Sequence, residues 1–422
     1  MWKTCGNKAL TTAAMLLLVA ERATAAGFQS TTHSAAGVGR ANAGEAVIAD
    51  NASVLGRNPA AMTRFDRPAV SGGLNLVMPM TEVTDVSANG LGQSVAMPDE
   101  DLNSVRPSPH FYLIQPLSDR FAVGTAVYSN FATGTEFSTS FNKSGALQGA
   151  PIPALGAALG GLVGGKTEVT TVNLNVSAAY EVIKGLSLGL GLDVLYGSGT
   201  FERPAYVVGN DTGAGLNFEG DGWSVGWDAG LMYEINEGNR FGLSYHSGMA
   251  FTAEGDGSAG GETFDETKLN LPARAEFSGF HQVARDWALH YSLQWIGWSA
   301  FDQIEFGDLV KEYNWEDTLR YAVGTTYTIS PAWTWRAGLA YDESPVKAEY
   351  RTVSIPDSNR IWYSTGATWT AASQHSSVDI AFTYIQGEQL DVSETASPTP
   401  FVVNSNTETN AVIVGASYNY RF

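Results

Sequence analysis

Residues 186–196 read Leu186-Ser187-Leu188-Gly189-Leu190-Gly191-Leu192-Asp193-Val194-Leu195-Tyr196. Leu186, Leu188, Leu190, Leu192, Val194 and Tyr196 alternate with Ser187, Gly189, Gly191 and Asp193, a period of two that puts the large apolar side chains on one face of a β-strand. The preceding stretch keeps the rhythm, with Val172, Leu174, Val176, Ala178, Tyr180 and Val182 set against Thr171, Asn173, Asn175, Ser177 and Glu181. So does a later one, with Trp223, Val225, Trp227, Ala229, Leu231, Tyr233 and Ile235 set against Ser224, Gly226, Asp228, Gly230 and Glu234. Alternation recurs over 241–245, 287–295, 321–329, 333–341, 361–369, 378–384 and 410–422. A soluble sandwich also alternates, because one face of each sheet is wet. Strands of ten or more residues with aromatics gathered at their ends point instead to lipid on the apolar face.

Working outward from these stretches, about fourteen strands follow, starting near 67–78, 110–117 and 121–137 and ending at Phe422. Short links (118–120, 183–185, 237–239, 284–286, 331–332, 373–376) alternate with long ones (79–109, 138–166, 204–221, 257–266, 307–313, 348–359, 391–408). An even strand number with tight turns at one rim and long loops at the other is the plan of an outer-membrane barrel, with both termini on the periplasmic side. The final residues, Tyr418-Asn419-Tyr420-Arg421-Phe422, resemble the closing-strand signature read by the barrel assembly machinery. That machinery, outer-membrane lipid and lipopolysaccharide are the expected macromolecular partners, and a monomer is expected.

Composition agrees. The chain has 46 Gly, 11 Trp, 17 Tyr and 19 Phe, with only 16% charged residues. Its net charge of −19 argues against a nucleic-acid partner, which needs basic surface to displace phosphate counterions. Lys3 and Lys8, an apolar run over 9–20 and the small residues Ala23-Thr24-Ala25 read as an export signal, giving a signal peptide over 1–25. The one cysteine, Cys5, lies inside that signal, so the mature chain would have no disulfide or thiolate metal site. After the signal, no run of about 18 apolar residues marks a membrane helix.

Residues 26–66 are rich in Ala, Gly, Ser and Asn and show no sustained alternation. A fourteen-strand barrel encloses more space than its own side chains fill, so this segment is expected to plug a barrel built from 67–422. The alternative from composition alone is a disordered periplasmic tail.

The same segment carries a family resemblance. Ala26-Gly27-Phe28-Gln29, Gly37-Val38-Gly39-Arg40-Ala41, Ile48-Ala49-Asp50-Asn51-Ala52 and Arg57-Asn58-Pro59-Ala60 resemble the hatch of FadL-type outer-membrane long-chain fatty acid transport proteins, a family that includes aromatic hydrocarbon transporters. Further matches follow in order, among them Trp223-Ser224-Val225-Gly226-Trp227-Asp228-Ala229-Gly230, Asn270-Leu271-Pro272, Asp342-Glu343-Ser344-Pro345-Val346 and Ser354-Ile355-Pro356-Asp357, and they cover essentially the whole mature chain. The resemblance implies an all-β transmembrane antiparallel barrel of about 14 strands with an N-terminal hatch, no catalysis, no cofactor and no metal. It implies that ligand is captured outside, enters a pocket within the barrel and contacts the hatch. Hatch movement then opens a path to a gap at a kinked third strand, through which the ligand leaves sideways. Such a route suits a long acyl chain, since each buried methylene favours leaving water by about 0.8 kcal/mol.

Residue by residue, the resemblance gives Phe28 as the hatch aromatic that reaches the pocket, Phe201 as an apolar ligand contact, Arg203 as the carboxylate partner and Lys311 as a second cation. Asn58, Pro59 and Ala60 form the hatch tripeptide, and Ser129, Asn130 and Phe131 mark the kink. Parity alone puts Phe201 and Arg203 on the lumenal side with Ser187, Asp193 and Gly197, and an Arg in an apolar cavity can fork two hydrogen bonds to a carboxylate. Arg203 has a second reading, as a lumenal cation paired with Glu202 or another acid. Lys311 has one as a solvated loop charge. At the kink, Ser129 and Asn130 interrupt the outward set Phe121, Val123, Thr125 and Val127, where polar residues facing lipid would be costly. An ordinary β-bulge also fits. The family's Gly after the kink aromatic is Ala132 here.

Two loops depart from the family. The link 204–221 is shorter, and 145–165 is an added uncharged stretch, expected as an exposed apolar capture surface. Gly160-Gly161-Leu162-Val163-Gly164-Gly165-Lys166-Thr167 fits a P-loop pattern, but alternation rather than a helix follows it. Gly185-Leu186-Ser187-Leu188-Gly189 fits a nucleophile elbow but lies within a regular strand. The six His residues show no ligand spacing. A general porin would lack the plug, and a barrel enzyme would need a Ser/His/acid set at the outer rim. Fatty acid and aromatic hydrocarbon both remain open as ligands.

Overall fold

The computed structural model describes residues 27–146, 159–206, 214–397 and 399–422; the signal peptide and residues 147–158 of the apolar stretch lie outside them. Fourteen antiparallel strands form one closed wall. They are β1 (Ala69–Gly90), β2 (Arg106–Ser118), β3 (Phe121–Tyr128 with Ala132–Glu136), β4 (Lys166–Ile183), β5 (Leu186–Pro204), β6 (Ala214–Asn236) and β7 (Asn239–His246 with Met249–Ala259). Then come β8 (Glu262–Leu271 with Arg274–Ala284), β9 (Trp287–Ile296), β10 (Thr318–Ser330), β11 (Trp333–Asp342), β12 (Arg360–Thr370), β13 (Ser376–Gly387 with Leu390–Thr395) and β14 (Val402–Arg421). Each pairs with its neighbours, and β14 returns to β1 in a register running from Ala69↔Arg421 to Thr84↔Asn406. The last residue joins the seam, Phe422 N donating to Pro68 O.

Burial is inverted relative to a soluble protein. On β5 the apolar set points outward, with Leu190 and Leu192 67% and 64% exposed, while Asp193 between Leu192 and Val194 is 3% exposed. On β6 the outward apolar run spans Trp223 to Tyr233, ten residue steps that cover about 33 Å along the strand at about 3.3 Å each. At a tilt of about 40° that is about 25 Å of height, the thickness of an outer-membrane apolar band.

The strands continue past that band, which corrects several expected loops. The link expected over 257–266 is a tight turn at Gly260 and Gly261, both at positive φ, between paired arms of β7 and β8. β1 runs on to Gly90, β13 is extended by Leu390–Thr395, and the link between β9 and β10 carries a small hairpin, Gln303–Phe306 with Leu309–Glu312. Above Trp223 the outward positions on β6 become Asn217, Glu219 and Asp221, all exposed. Apolar alternation reports lipid contact; pairing goes on where lipid ends.

Residues 27–66 lie inside the wall and are almost wholly buried. Three short helical turns shape them: Ala35–Val38, Ala52–Gly56 and Pro59–Arg64. Asn58 caps the third, its Oδ1 accepting from Ala60 N at 3.0 Å, while its Nδ2 donates to Ala46 O and to Leu231 O of β6. Pro59 takes the first helical position, where no backbone N–H is needed. The wall makes room with glycine: a Cβ on Gly230 would lie 1.9 Å from Asn58 Oδ1, and one on Gly189 2.3 Å from Ala60 N. Guanidinium groups fix the rest. Arg40 binds Glu45 (2.6 Å) and Asp50 (2.7 Å), Arg57 binds Glu276 of β8 (3.0 Å), Arg336 of β11 reaches Asp50 (3.2 Å), and Arg240 of β7 donates to Val47 O and Ile48 O.

If β5 faces lipid as described, Leu190→Arg should lower the free energy of folding into vesicles by about 2–4 kcal/mol. Denaturant titration of refolding checks this; an unchanged midpoint would contradict the assignment of the outer face.

Candidate functional site

β3 is interrupted between Tyr128 and Ala132. Its pairing with β2 runs from Ser118↔Phe121 to Phe111↔Val127 and stops, so 106–110 of β2 and 129–136 of β3 are unpaired with each other among the described residues. Arg106 of β2 crosses the interval, donating to Gly134 O at 2.6 Å. Ser129 and Asn130 are buried rather than lipid-facing, because the chain turns inward here. The end of the N-terminal segment meets it. Gln29 and Phe131 face each other as an antiparallel bridge, with Ser30 N donating to Asn130 O (2.7 Å) and Ala132 N to Phe28 O (2.8 Å). Thr32 then reaches Ser108 Oγ of β2 at 2.7 Å, and the His33 ring lies 4.8 Å from that of Tyr128. Residues 28–33 thus line the inner side of the break.

Phe28 is 2% exposed, with Trp298, Phe301, Trp315 and Phe131 at ring-centre distances of 4.7, 5.2, 5.7 and 6.0 Å. The link between β9 and β10 supplies Trp298, Phe301, Tyr313 and Trp315. A wider apolar cluster adds Phe201, Phe218, Phe251, Phe306 and Ile355. Gly27 is at φ +64° and a Cβ there would lie 2.4 Å from Trp298, so the last turn before Phe28 requires glycine. Its N–H donates to Asp357 Oδ1 at 3.0 Å. Burial pushes the Asp357 carboxyl up to about 6 while Arg360 pulls it down, and the same oxygen also accepts from the Arg360 guanidinium.

Two cations border this cluster. Arg203 makes no carboxylate pair among the described residues: its guanidinium donates to Lys166 O, Glu202 O and Thr167 Oγ1 at 2.9, 2.9 and 2.7 Å. Lys311 is a partly exposed loop cation, but it is ion-paired. Its Nζ lies 2.7 Å from Glu394 Oε1, and although burial, the largest single influence, lowers the ammonium, Glu394 and Tyr313 together hold it above its ordinary value. Arg203, Lys311, Tyr313 and Glu394 act on one another electrostatically.

A lumenal polar layer separates this cluster from the Pro59–Arg64 turn. In it Asp193, Asp228 and His246 place ligand-type atoms within 4.8 Å of one another, though no His spacing announced the group. Amides of Asn173 and Asn175 already donate to the two carboxylates, and Arg274 lies against His246 Nδ1.

The family model described as "Outer membrane protein transport protein (OMPP1/FadL/TodX)" matches residues 16–422. The chain belongs to this family. The "Long-chain fatty acid transport protein" of Escherichia coli O6:H1 is 33% identical over 460 aligned positions, covering 97% of each chain. In fold, a Pseudomonas aeruginosa FadL homologue superposes with a TM-score of 0.82 at 20% identity, covering 94% of this chain and all of that one. The Ralstonia pickettii toluene transporter TbuX gives 0.65 at 16% identity, covering 92% and 98%. The protein is therefore an outer-membrane transport protein rather than an enzyme.

Within this FadL-family chain the structure brings Phe28, Phe131 and Phe201 into one cluster, with Arg203 and Lys311 at its edge, while Asn58, Pro59 and Ala60 sit lower, against β5 and β6. Sequence reasoning missed the aromatic box of the β9–β10 link and Glu394. The box had a signal, the dense run Trp295, Trp298, Phe301, Phe306, Tyr313 and Trp315 in and beside a connection. The stretch 145–165 needs correction in part: Leu159 and Val163 are buried with Met97, Phe137, Phe141 and Phe401 in a second, outer cluster. Its glycines serve close packing, since a Cβ on Gly161 would lie 1.9 Å from Pro204 O.

Phe28→Ala should free residues 27–33 for cleavage by added protease, the lost ring being worth about 3–5 kcal/mol in a packed site, while the barrel keeps its unheated gel mobility. Unchanged resistance would show that Phe28 does not hold this end.

Proposed function

We propose that the chain carries long-chain fatty acids inward across the outer membrane, with residues 26–66 acting as the hatch. The supporting observation is the pairing of an apolar, aromatic-lined cluster with Arg203, a cation that has polar but no carboxylate partners among the described residues. The acyl chain occupies the cluster by displacing Phe28 or its neighbours, and the carboxylate takes a charge-assisted bond from Arg203 with Lys311 beside it. Because Phe28, Gln29 and Ser30 are bonded to 130–132, displacing Phe28 peels this edge from the break in β3. The ligand then leaves sideways between β2 and β3 into lipid. A second reading, an aromatic hydrocarbon as ligand, is favoured by the neutralisation of Lys311 by Glu394.

Titrating purified protein with oleate and with toluene distinguishes the two. Under the fatty-acid reading, Arg203→Ala weakens oleate by about 1.5–3 kcal/mol and leaves toluene unchanged. Equal oleate affinity in the variant would remove the carboxylate assignment.

The exit has its own test. Gln29 and Phe131 form a pair without mutual backbone hydrogen bonds, for which Cα atoms lie about 4.5 Å apart, within disulfide reach. Gln29→Cys with Phe131→Cys, in a mature chain without other thiols, should block oleate uptake when oxidised and recover it when reduced. Full uptake by the oxidised protein would place the exit elsewhere.

A further inference from the structure

The inner and outer apolar clusters meet at one ion pair. Glu394 lies on the inward face of the β13 extension between Val392 and Ala396, both members of the outer cluster. It is 6% exposed, with Oε1 2.7 Å from Lys311 Nζ and Oε2 accepting from Val353 N at 2.8 Å. On the other side of the pair stand Tyr313, two residues from Lys311, and Ile355, two residues from Val353, both in the inner cluster. A carboxylate set in an otherwise apolar stripe is costly to desolvate, and an apolar residue of similar size often serves stability as well or better. Its position, facing the cations that border the ligand cluster, suggests a different use.

We propose that Glu394 is the resident carboxylate of the head-group site. In the empty transporter it neutralises Lys311 at the boundary between the outer cluster, where ligand arrives, and the inner one. A carboxylate ligand replaces it at Lys311, and Glu394 is released toward the outer loops. A neutral ligand has nothing to exchange at Lys311, so it binds by its chain alone and leaves the pair in place, and only an acid competes with Glu394. This rests on the carboxylate reading proposed above.

The test compares oleate with oleyl alcohol, which has the same chain and no charge, on purified protein in detergent. Glu394→Gln keeps an oxygen for Val353 N and removes the competing charge. Oleate should bind about fivefold tighter, the contribution of an ion pair with a partly exposed lysine, and oleyl alcohol with unchanged affinity. Lys311→Met probes the same contact without touching the Val353 bond: with Glu394 left unpaired, oleate weakens and oleyl alcohol does not. If Glu394→Gln leaves oleate affinity unchanged while Arg203→Ala weakens it, the role of Glu394 is overturned and the head-group site stands. If Arg203→Ala and Lys311→Met both leave oleate unchanged, the head-group site falls and this proposal with it.

Discussion

In hydrocarbon every backbone N–H and C=O must find a partner, since each unsatisfied group costs several kcal/mol. That constraint explains closure of β1 on β14 to the last residue, and it makes the break between β2 and β3 the most informative feature of the wall. The broken edge is not left bare. Residues 28–30 supply backbone partners at 130–132 from inside, Thr171 bonds Phe131 from β4, and Arg106 reaches Gly134 from β2. Whatever moves residues 28–30 therefore changes how well the wall is sealed.

The enclosed segment 27–66 is held unevenly. Its lower part is bound by the Arg40, Arg57, Arg240 and Arg336 networks and fitted against wall glycines. Buried ion pairs of this kind add little net stability, because desolvation offsets attraction, but breaking one leaves an uncompensated charge, so they fix position. The upper part is held without an ion pair among the described residues, by Phe28, the Gln29–Phe131 bridge, the Asp357 contact, Thr32 against Ser108 and Asn75, and His33 against Tyr128. Around it, side-chain atoms of Gln29, Thr31 and His33 are buried without a hydrogen-bond partner among the described residues, each worth about 1–3 kcal/mol if left unmet. Local opening is cheapest where fewest bonds are lost, which points to residues 28–33 rather than the turns below.

Much of this was legible in the sequence, for identifiable reasons. Period-two alternation located the lipid-facing parts of β4, β5 and β6, and Tyr418 to Phe422 marked the closing strand, because lipid imposes one rule on every outward position. Asn58-Pro59-Ala60 stood out only through the family resemblance, and the structure gives it a local role, a cap followed by a first-turn proline. What alternation could not show was pairing above the membrane, where both faces are polar, so 257–266 was read as a loop. Nor could it show contacts between distant segments. Glu394 with Lys311, Gly27 with Asp357 and the box around Phe28 depend on how loops from β9, β12 and β13 converge over one opening.

The central claim, that ligand in the aromatic cluster unseals the wall through the first residues of the hatch, is tested most directly by hydrogen exchange of the purified protein with and without oleate. The account predicts that amides of residues 28–33 and 129–134 gain exchange together on oleate binding, while residues 40–64 stay protected. Faster exchange at 28–33 with 129–134 unchanged, or no change at either, would contradict it.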